Sequence, residues 1–261
     1  GRANAKKSML SVPGLFLRLN KGTIISWLIG FLVLGVAYGS IYGDMQTFLE
    51  SNDLIKQMFT YSGVSIEESF TATIMMVMIG LVSILPIVII NKLYNEEKRL
   101  HLSQLYGTKV KRGQMYWTSV LLAILSGIVG ILLAAIGLGG TALTVMEGGS
   151  TMALADFIVA GFNFLPSLLF FIGLAALVLG WLPQLGKMIY VYLGYSFMVN
   201  YFDGILNLPN WLLKTAIKSW IPRMPIDDFN VIVFVSITLI SAVLMVMGYF
   251  GYNKRDMHEG T

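Results

Sequence analysis

The chain has 261 residues, of which 56% are hydrophobic and 12% charged, a mean hydropathy of +0.74 and no cysteine. One soluble domain of this length cannot keep so much apolar surface from water, and without cysteine there are no disulfides, thiolate metal sites or thiol catalysis. The formal charge of +4 is modest, but its basic residues are concentrated in a few connections, so their location matters more than their sum.

Runs of about 20 apolar residues are needed to cross a hydrocarbon layer of about 30 Å as helices. Six candidates follow in chain order: Thr23 to Tyr42, Phe70 to Ile90, Trp117 to Leu138, Phe157 to Leu182, Met188 to Phe202 and Val231 to Phe250. The runs are continuously apolar rather than alternating, which argues against a β-barrel. The expected fold is therefore all-α, a polytopic bundle of six transmembrane helices. It comprises a lead segment at 1–22, a membrane domain at 23–252 and a tail at 253–261. The fourth run contains Asn163 and Pro166 and is expected to be tilted, broken or entered by a short interfacial piece. The fifth is short.

Lys and Arg in the connections set the expected orientation. The lead segment has Arg2, Lys6, Lys7, Arg18 and Lys21, and the Asn91 to Tyr116 connection has six basic residues. Lys187, Lys254 and Arg255 bring that face to fourteen of eighteen. The opposite face has Lys56, Lys214, Lys218 and Arg223. Both termini are thus expected in the cytoplasm, in a multi-pass protein of the plasma membrane. The 203–230 connection contains "WLLKTAIKSW", where Leu212, Leu213 and Ile217 at helical spacing suggest an interfacial helix on the outer surface, bracketed by Trp211 and Trp220.

No span has Asp, Glu, Lys, Arg or His in its central part, which argues against ion coupling by this chain alone. Asn163, Asn200, Ser83, Ser126 and Ser236 read as interhelical hydrogen-bonding groups. Gly35 and Gly39, with Gly130 and Ala134, are small-residue pairs that allow close helix packing. Pro86 and Pro166 are expected kinks and, with Asn163 and Asn200, weak candidates for a path through the bundle.

Two motifs lack residues that their chemistry needs. "GWLPQLGK", Gly180 to Lys187, has the glycine and lysine spacing of a phosphate-binding loop. Met188, however, stands where Ser or Thr must hold magnesium, and no strand precedes it. "EEKR", Glu96 to Arg99, is similar to the paired glutamates of intramembrane CAAX-type proteases, but the arginine spacing differs. The two histidines, His101 and His258, lie in connections. No enzyme is expected, and no cofactor or metal bound by this chain.

The segment "YNEEKRLHLSQLYGTKVKRGQMYW", Tyr94 to Trp117, places Leu102, Leu105 and Tyr106 on one helical stripe, with Gly107 suited to end it. One reading is an amphipathic surface segment held by anionic lipid. The other is a short transverse helix that docks into a cytoplasmic ATPase.

"EEKRLHLSQLYGTKVKRGQMYW" resembles the cytoplasmic segment of type-2 ATP-binding-cassette permeases. "SVPGLFLRLNKGTIISWLIGFLVLGVAYGSIYGD", Ser11 to Asp44, is similar to the start of the second half of twelve-span exporters of polyketide antibiotics and related drugs. "GYFGYNKRDMHEG", with Arg255 and Asp256, resembles their final span and tail. The resemblance implies a bacterial permease moving an amphipathic drug, antibiotic, lipid or peptide outward by alternating access. Its partners would be cytoplasmic cassette ATPases, which hold the ATP and magnesium, and the other six-span half or a second copy. Membrane lipids are expected around it and no nucleic acid. The docking surface implied by the resemblance comprises Glu96, Glu97, Arg99, Leu102, Leu105 and Tyr106 within the 91–116 coupling segment. The competing class is a membrane scaffold or sensor that binds a partner without transport.

Overall fold

The computed structural model describes residues 12–45, 51, 53–54, 65–98, 112–146 and 152–255. Among them no strand occurs. Helix α1 (Val12–Ser40) runs into a 3-10 turn at Ile41–Asp44, and α2 (Ile66–Val82) is followed by α3 (Ile84–Lys98). Then come α4 (Arg112–Val145), α5 (Leu154–Phe162) and α6 (Leu165–Trp181). A 3-10 turn at Pro183–Leu185 leads to α7 (Met188–Leu206), the single turn α8 (Asn210–Leu213) and a 3-10 turn at Ile217–Trp220. The last element is α9 (Val231–Lys254).

Among the described residues, five helical runs are long and apolar enough to cross a membrane: Phe16–Asp44, Ile66–Glu96, Arg112–Val145, Leu154–Trp181 and Val231–Lys254. Helix α7, the expected fifth span, has 19 residues, about 28 Å at the helical rise. It is not among the five, because Tyr190, Tyr192, Tyr195, Asn200, Tyr201 and Asp203 dilute its apolar character. The molecule is an all-α polytopic membrane protein.

Two spans are broken where the sequence withholds a donor. Proline at 86 cannot donate to the Val82 carbonyl, and the helix parts at Ser83 between α2 and α3. At the break the Ser83 hydroxyl donates to the Ile79 carbonyl at 2.8 Å, beside the Ser83 amide. Pro166 likewise stands in the first turn of α6, and the chain breaks at Asn163 and Phe164 between α5 and α6. Helices α2 and α9 are capped at their starts by side chains. The Ser65 hydroxyl accepts from the Glu68 amide at 3.2 Å, and the Asn230 side-chain oxygen from the Val233 amide at 3.2 Å.

The α2–α3 run is the hub. It is 78% buried over its most apolar stretch, against 17% for α1 and 22% for α9, so the latter two form the rim. Helix α1 packs along α4 at close range. A Cβ added to Gly35 would lie 2.6 Å from the Ala134 carbonyl oxygen, and one added to Gly39 2.6 Å from that of Leu138. Helices α6 and α9 meet the same way: a Cβ on Gly248 would lie 2.5 Å from the Ala176 carbonyl oxygen, and one on Gly180 would collide with the Gly248 backbone. Small residues let the two backbones approach until dispersion contacts are made along both helices.

Two expectations about the connections are revised. Helix α3 continues to Lys98 and α4 begins at Arg112, so Glu96, Glu97 and Lys98 belong to the last turn of a spanning helix. The connection proper is 99–111. The "WLLKTAIKSW" stretch is not one interfacial helix but two single turns, α8 and the 3-10 turn at Ile217–Trp220. Leu212, Leu213 and Ile217 do have helical spacing. Thr215 interrupts it, its hydroxyl donating to the Leu212 carbonyl at 2.5 Å while α7 holds it from the other side.

Candidate functional site

The bundle has a basic end, where α3, α6 and α9 finish, and a far end, where α1, α4 and α7 finish. The far end is closed by the 207–230 connection. Asn207 terminates α7 in the left-handed region, at φ 48°, which asparagine tolerates because its side chain bonds locally. The connection then folds inward. The Tyr192 hydroxyl donates to the Thr215 carbonyl at 2.9 Å, and the Tyr195 and Thr215 hydroxyls pair at 2.5 Å. Ser219 donates its hydroxyl to the Asn200 side-chain oxygen at 2.9 Å, and the Asn163 amide donates to the Pro222 carbonyl at 2.5 Å.

Lys218 reaches into the helical interior. It is 3% exposed, and its ammonium donates to the Met76 carbonyl at 3.2 Å, ten residues into α2. Gly80 opens the space: a Cβ there would collide with Lys218 Nζ. Lys218 belongs to a connection and not to a spanning helix, and burial pushes its ammonium down to about 7. The spans lack central charges, as their sequences show, yet a charge enters the interior from a loop. Trp211 and Trp220, 70% and 51% exposed, flank this insertion, and the Trp220 indole donates to the Lys214 carbonyl at 2.9 Å.

The basic end is tied together by arginines and aromatic rings. Arg112, at the start of α4, donates to the Arg255 carbonyl and lies 4.9 Å from the Tyr252 ring centroid. Arg255 lies 5.3 Å from the same ring and 5.9 Å from that of Tyr94 on α3. The Tyr116 hydroxyl donates to the Met245 carbonyl at 2.5 Å. Both ends of the 99–111 connection are thereby anchored to the end of α9. Beside them opens a cavity of about 630 Å³ whose lining includes Thr23, Asn91, Lys92, Glu96, Lys187 and Tyr190. Its shape is held by Lys92, which donates to the Leu19 carbonyl at 2.5 Å, and by Asn91, whose amide donates to the Gly186 carbonyl at 3.2 Å. Further along α1, Trp27, Gly30, Phe31 and Leu34 face Leu81 across an apolar space of about 320 Å³.

The candidate residues from the sequence distribute as follows. Asn163 and Asn200 meet the same inserted connection, at Pro222 and Ser219. Pro86 and Pro166 stand just beyond the two helix breaks. Gly35, Gly39 and Ala134 lie in the α1–α4 contact, and Gly130 faces Val82 and Phe31. Glu96 is buried in the last turn of α3 and Glu97 follows it there. Arg99, Leu102, Leu105 and Tyr106 lie outside the described residues. The burial of Lys218 had no signal in the sequence, since it depends on a gap at Gly80 and a carbonyl at Met76, 142 positions away. The sequence reading missed the α6–α9 contact, for which Gly173 and Gly180 against Ser241 and Gly248, each pair seven apart, were the available signal.

An all-α membrane bundle with glycine-paired rim helices and an inserted far-end connection is the class defined by these observations. The chain belongs to the family described as "Multidrug efflux system permease Rv1217c, C-terminal domain", whose profile matches residues 10–253. It is 26% identical over 255 residues to the multidrug efflux system permease protein Rv1217c of Mycobacterium tuberculosis. That match covers 95% of this chain and 46% of the relative, so the chain spans about half the relative's length.

Proposed function

We propose that this chain is the transmembrane half of a multidrug exporter of the bacterial plasma membrane, driven by a separate cassette ATPase. The family relationship over residues 10–253 is the observation that carries the reading. The basic end faces the cytoplasm, with both termini, since fourteen of the eighteen Lys and Arg residues fall on that side. The translocation path forms against a second six-span half, on the same polypeptide or another, and ATP and magnesium are held by the partner ATPase.

In this reading the 91–116 segment is the docking element, its contact surface formed by Glu97, Arg99, Leu102, Leu105 and Tyr106, with Glu96 buried in the last turn of α3. Closure of the ATPase pushes the last turn of α3. Because the α2–α3 run is the buried hub and is broken at Ser83, the push tilts one segment relative to the other. The far part, α2, carries the Met76 carbonyl that receives Lys218, so its tilt bears on the 207–230 connection. Differential affinity of the ATPase states for the docking element is the route by which hydrolysis acts on the bundle. The polar cavity at the basic end and the apolar space along α1 suit an amphiphile with its head near Asn91 and its chain toward Leu34.

The test is co-purification with a cassette ATPase from membranes expressing both halves. Arg99→Glu and Leu102→Asp are expected each to abolish association while the permease remains monodisperse in detergent. Association that survives both changes contradicts the docking assignment.

A further inference from the structure

The 207–230 connection is held closed by neutral hydrogen bonds with Tyr192, Tyr195, Asn163 and Asn200, the last as acceptor. Lys218 differs from these. Its ammonium has three donors, and among the described residues it has a single acceptor, the Met76 carbonyl. Three helices pack around it. Helix α6 has no titratable side chain; α7 carries Asp203 and the tyrosines Tyr190, Tyr192, Tyr195 and Tyr201; α2 carries Glu67 and Glu68, eight or more residues before Met76. The connection itself adds Lys214, Arg223, Asp227 and Asp228. None of the described carboxylates pairs with Lys218, and the Asp227 carboxylate accepts from the Arg223 amide at 3.1 Å. Closing the connection therefore strips a lysine of water and returns one carbonyl in exchange. A buried charge so poorly compensated opposes the state that buries it.

We propose that Lys218 is a built-in opposing element of the far-end gate: its burial keeps the closed 207–230 connection close in free energy to the open one, so that a small tilt of α2 releases it. The proposal rests on the exporter reading and deepens it, giving it an outward gate that is poised to open. Gly80 is the matching half of the device, since it makes room for the amine. The depressed ammonium gives the sign of the pH dependence. The closed state favours the neutral amine and the open state the hydrated ammonium. The penalty is present in full below about pH 7 and is relieved as pH rises toward the ordinary lysine value, so closure strengthens with rising pH.

The test uses the absence of native cysteine. Ala216 is fully buried in the connection, and an Ala216→Cys variant reports each opening through its rate of reaction with a water-soluble maleimide. The measurement is made on the permease purified in detergent with its partner half, with Leu206→Cys as the exposed reference for intrinsic thiol reactivity. Lys218→Met, similar in length and uncharged, is expected to slow labelling by about tenfold at about pH 6.5. Between about pH 6.5 and about pH 9 the reference-corrected rate is expected to fall with native Lys218 and to stay flat in the Lys218→Met variant. Lys218→Gln serves if the methionine variant is not monodisperse, with the same expected direction. Labelling that is unchanged or faster without the lysine makes Lys218 a brace and overturns the proposal. The readout needs neither transport nor an ATPase, so failure of the exporter reading and failure of this one are separable.

Discussion

Lys218 Nζ occupies the volume that any side chain at Gly80 would need. This contact joins a connection at one end of the bundle to the interior of the most buried helix. It makes the 207–230 segment part of the packed structure and not a surface loop.

Gly80→Ala is expected to expel the amine and loosen the connection. In the Ala216→Cys background, maleimide labelling should quicken by about tenfold where Lys218 is present. With Lys218→Ala, which removes the colliding atoms, the same glycine change should have little effect. Equal acceleration in both backgrounds contradicts the pairing of the two positions.

The asparagines that hold the connection should act with the opposite sign to the lysine. Asn163→Leu removes the donor to the Pro222 carbonyl, and Asn200→Leu removes the acceptor of the Ser219 hydroxyl. Each loses about 1 kcal/mol of closure, and the labelling rate at residue 216 should rise about fivefold. A slower rate contradicts their role as braces.

Close backbone approach makes the α1–α4 seam intolerant of added volume. Gly35→Val and Gly39→Val should each cost about 1–3 kcal/mol, read as a lower midpoint of thermal unfolding in detergent. Gly30→Ala, where a Cβ would have no neighbour within 4 Å, should leave the midpoint unchanged. Equal effects at all three positions contradict the seam.

Orientation is testable with the same chemistry. Thr144 is exposed at the far end of α4. A cysteine there should react with an impermeant maleimide added to intact cells, and one at Ser103, in the basic connection, only after permeabilisation. The reverse pattern inverts the assignment of both termini.

What the sequence made legible was set by local chemistry. The apolar runs gave the helices of the bundle. Pro86 and Pro166 marked the two breaks because a missing donor acts wherever proline falls in a helix. Helix α7 was harder, since its tyrosines and Asn200 serve the inserted connection and lower its apolar content. The 207–230 segment was misread as one interfacial helix because Leu212, Leu213 and Ile217 satisfy the helical period, while the contacts that break it come from Tyr192 and Tyr195 on another helix. Lys218 had no local signature. A lysine beside two tryptophans reads as an interfacial cation, and only the gap at Gly80 turns it inward. The arginines of the basic end were noticed for their charge, but their stacking on Tyr252 and Tyr94 requires three helix ends to meet.

The proposed exporter draws its energy from a partner ATPase and not from its own helices. Inverted membrane vesicles carrying this chain, its partner half and the cassette ATPase should accumulate a fluorescent amphiphile only with ATP and magnesium. Accumulation should persist when a protonophore collapses the proton gradient. Accumulation without nucleotide, or its loss with the gradient while ATP is maintained, contradicts the account.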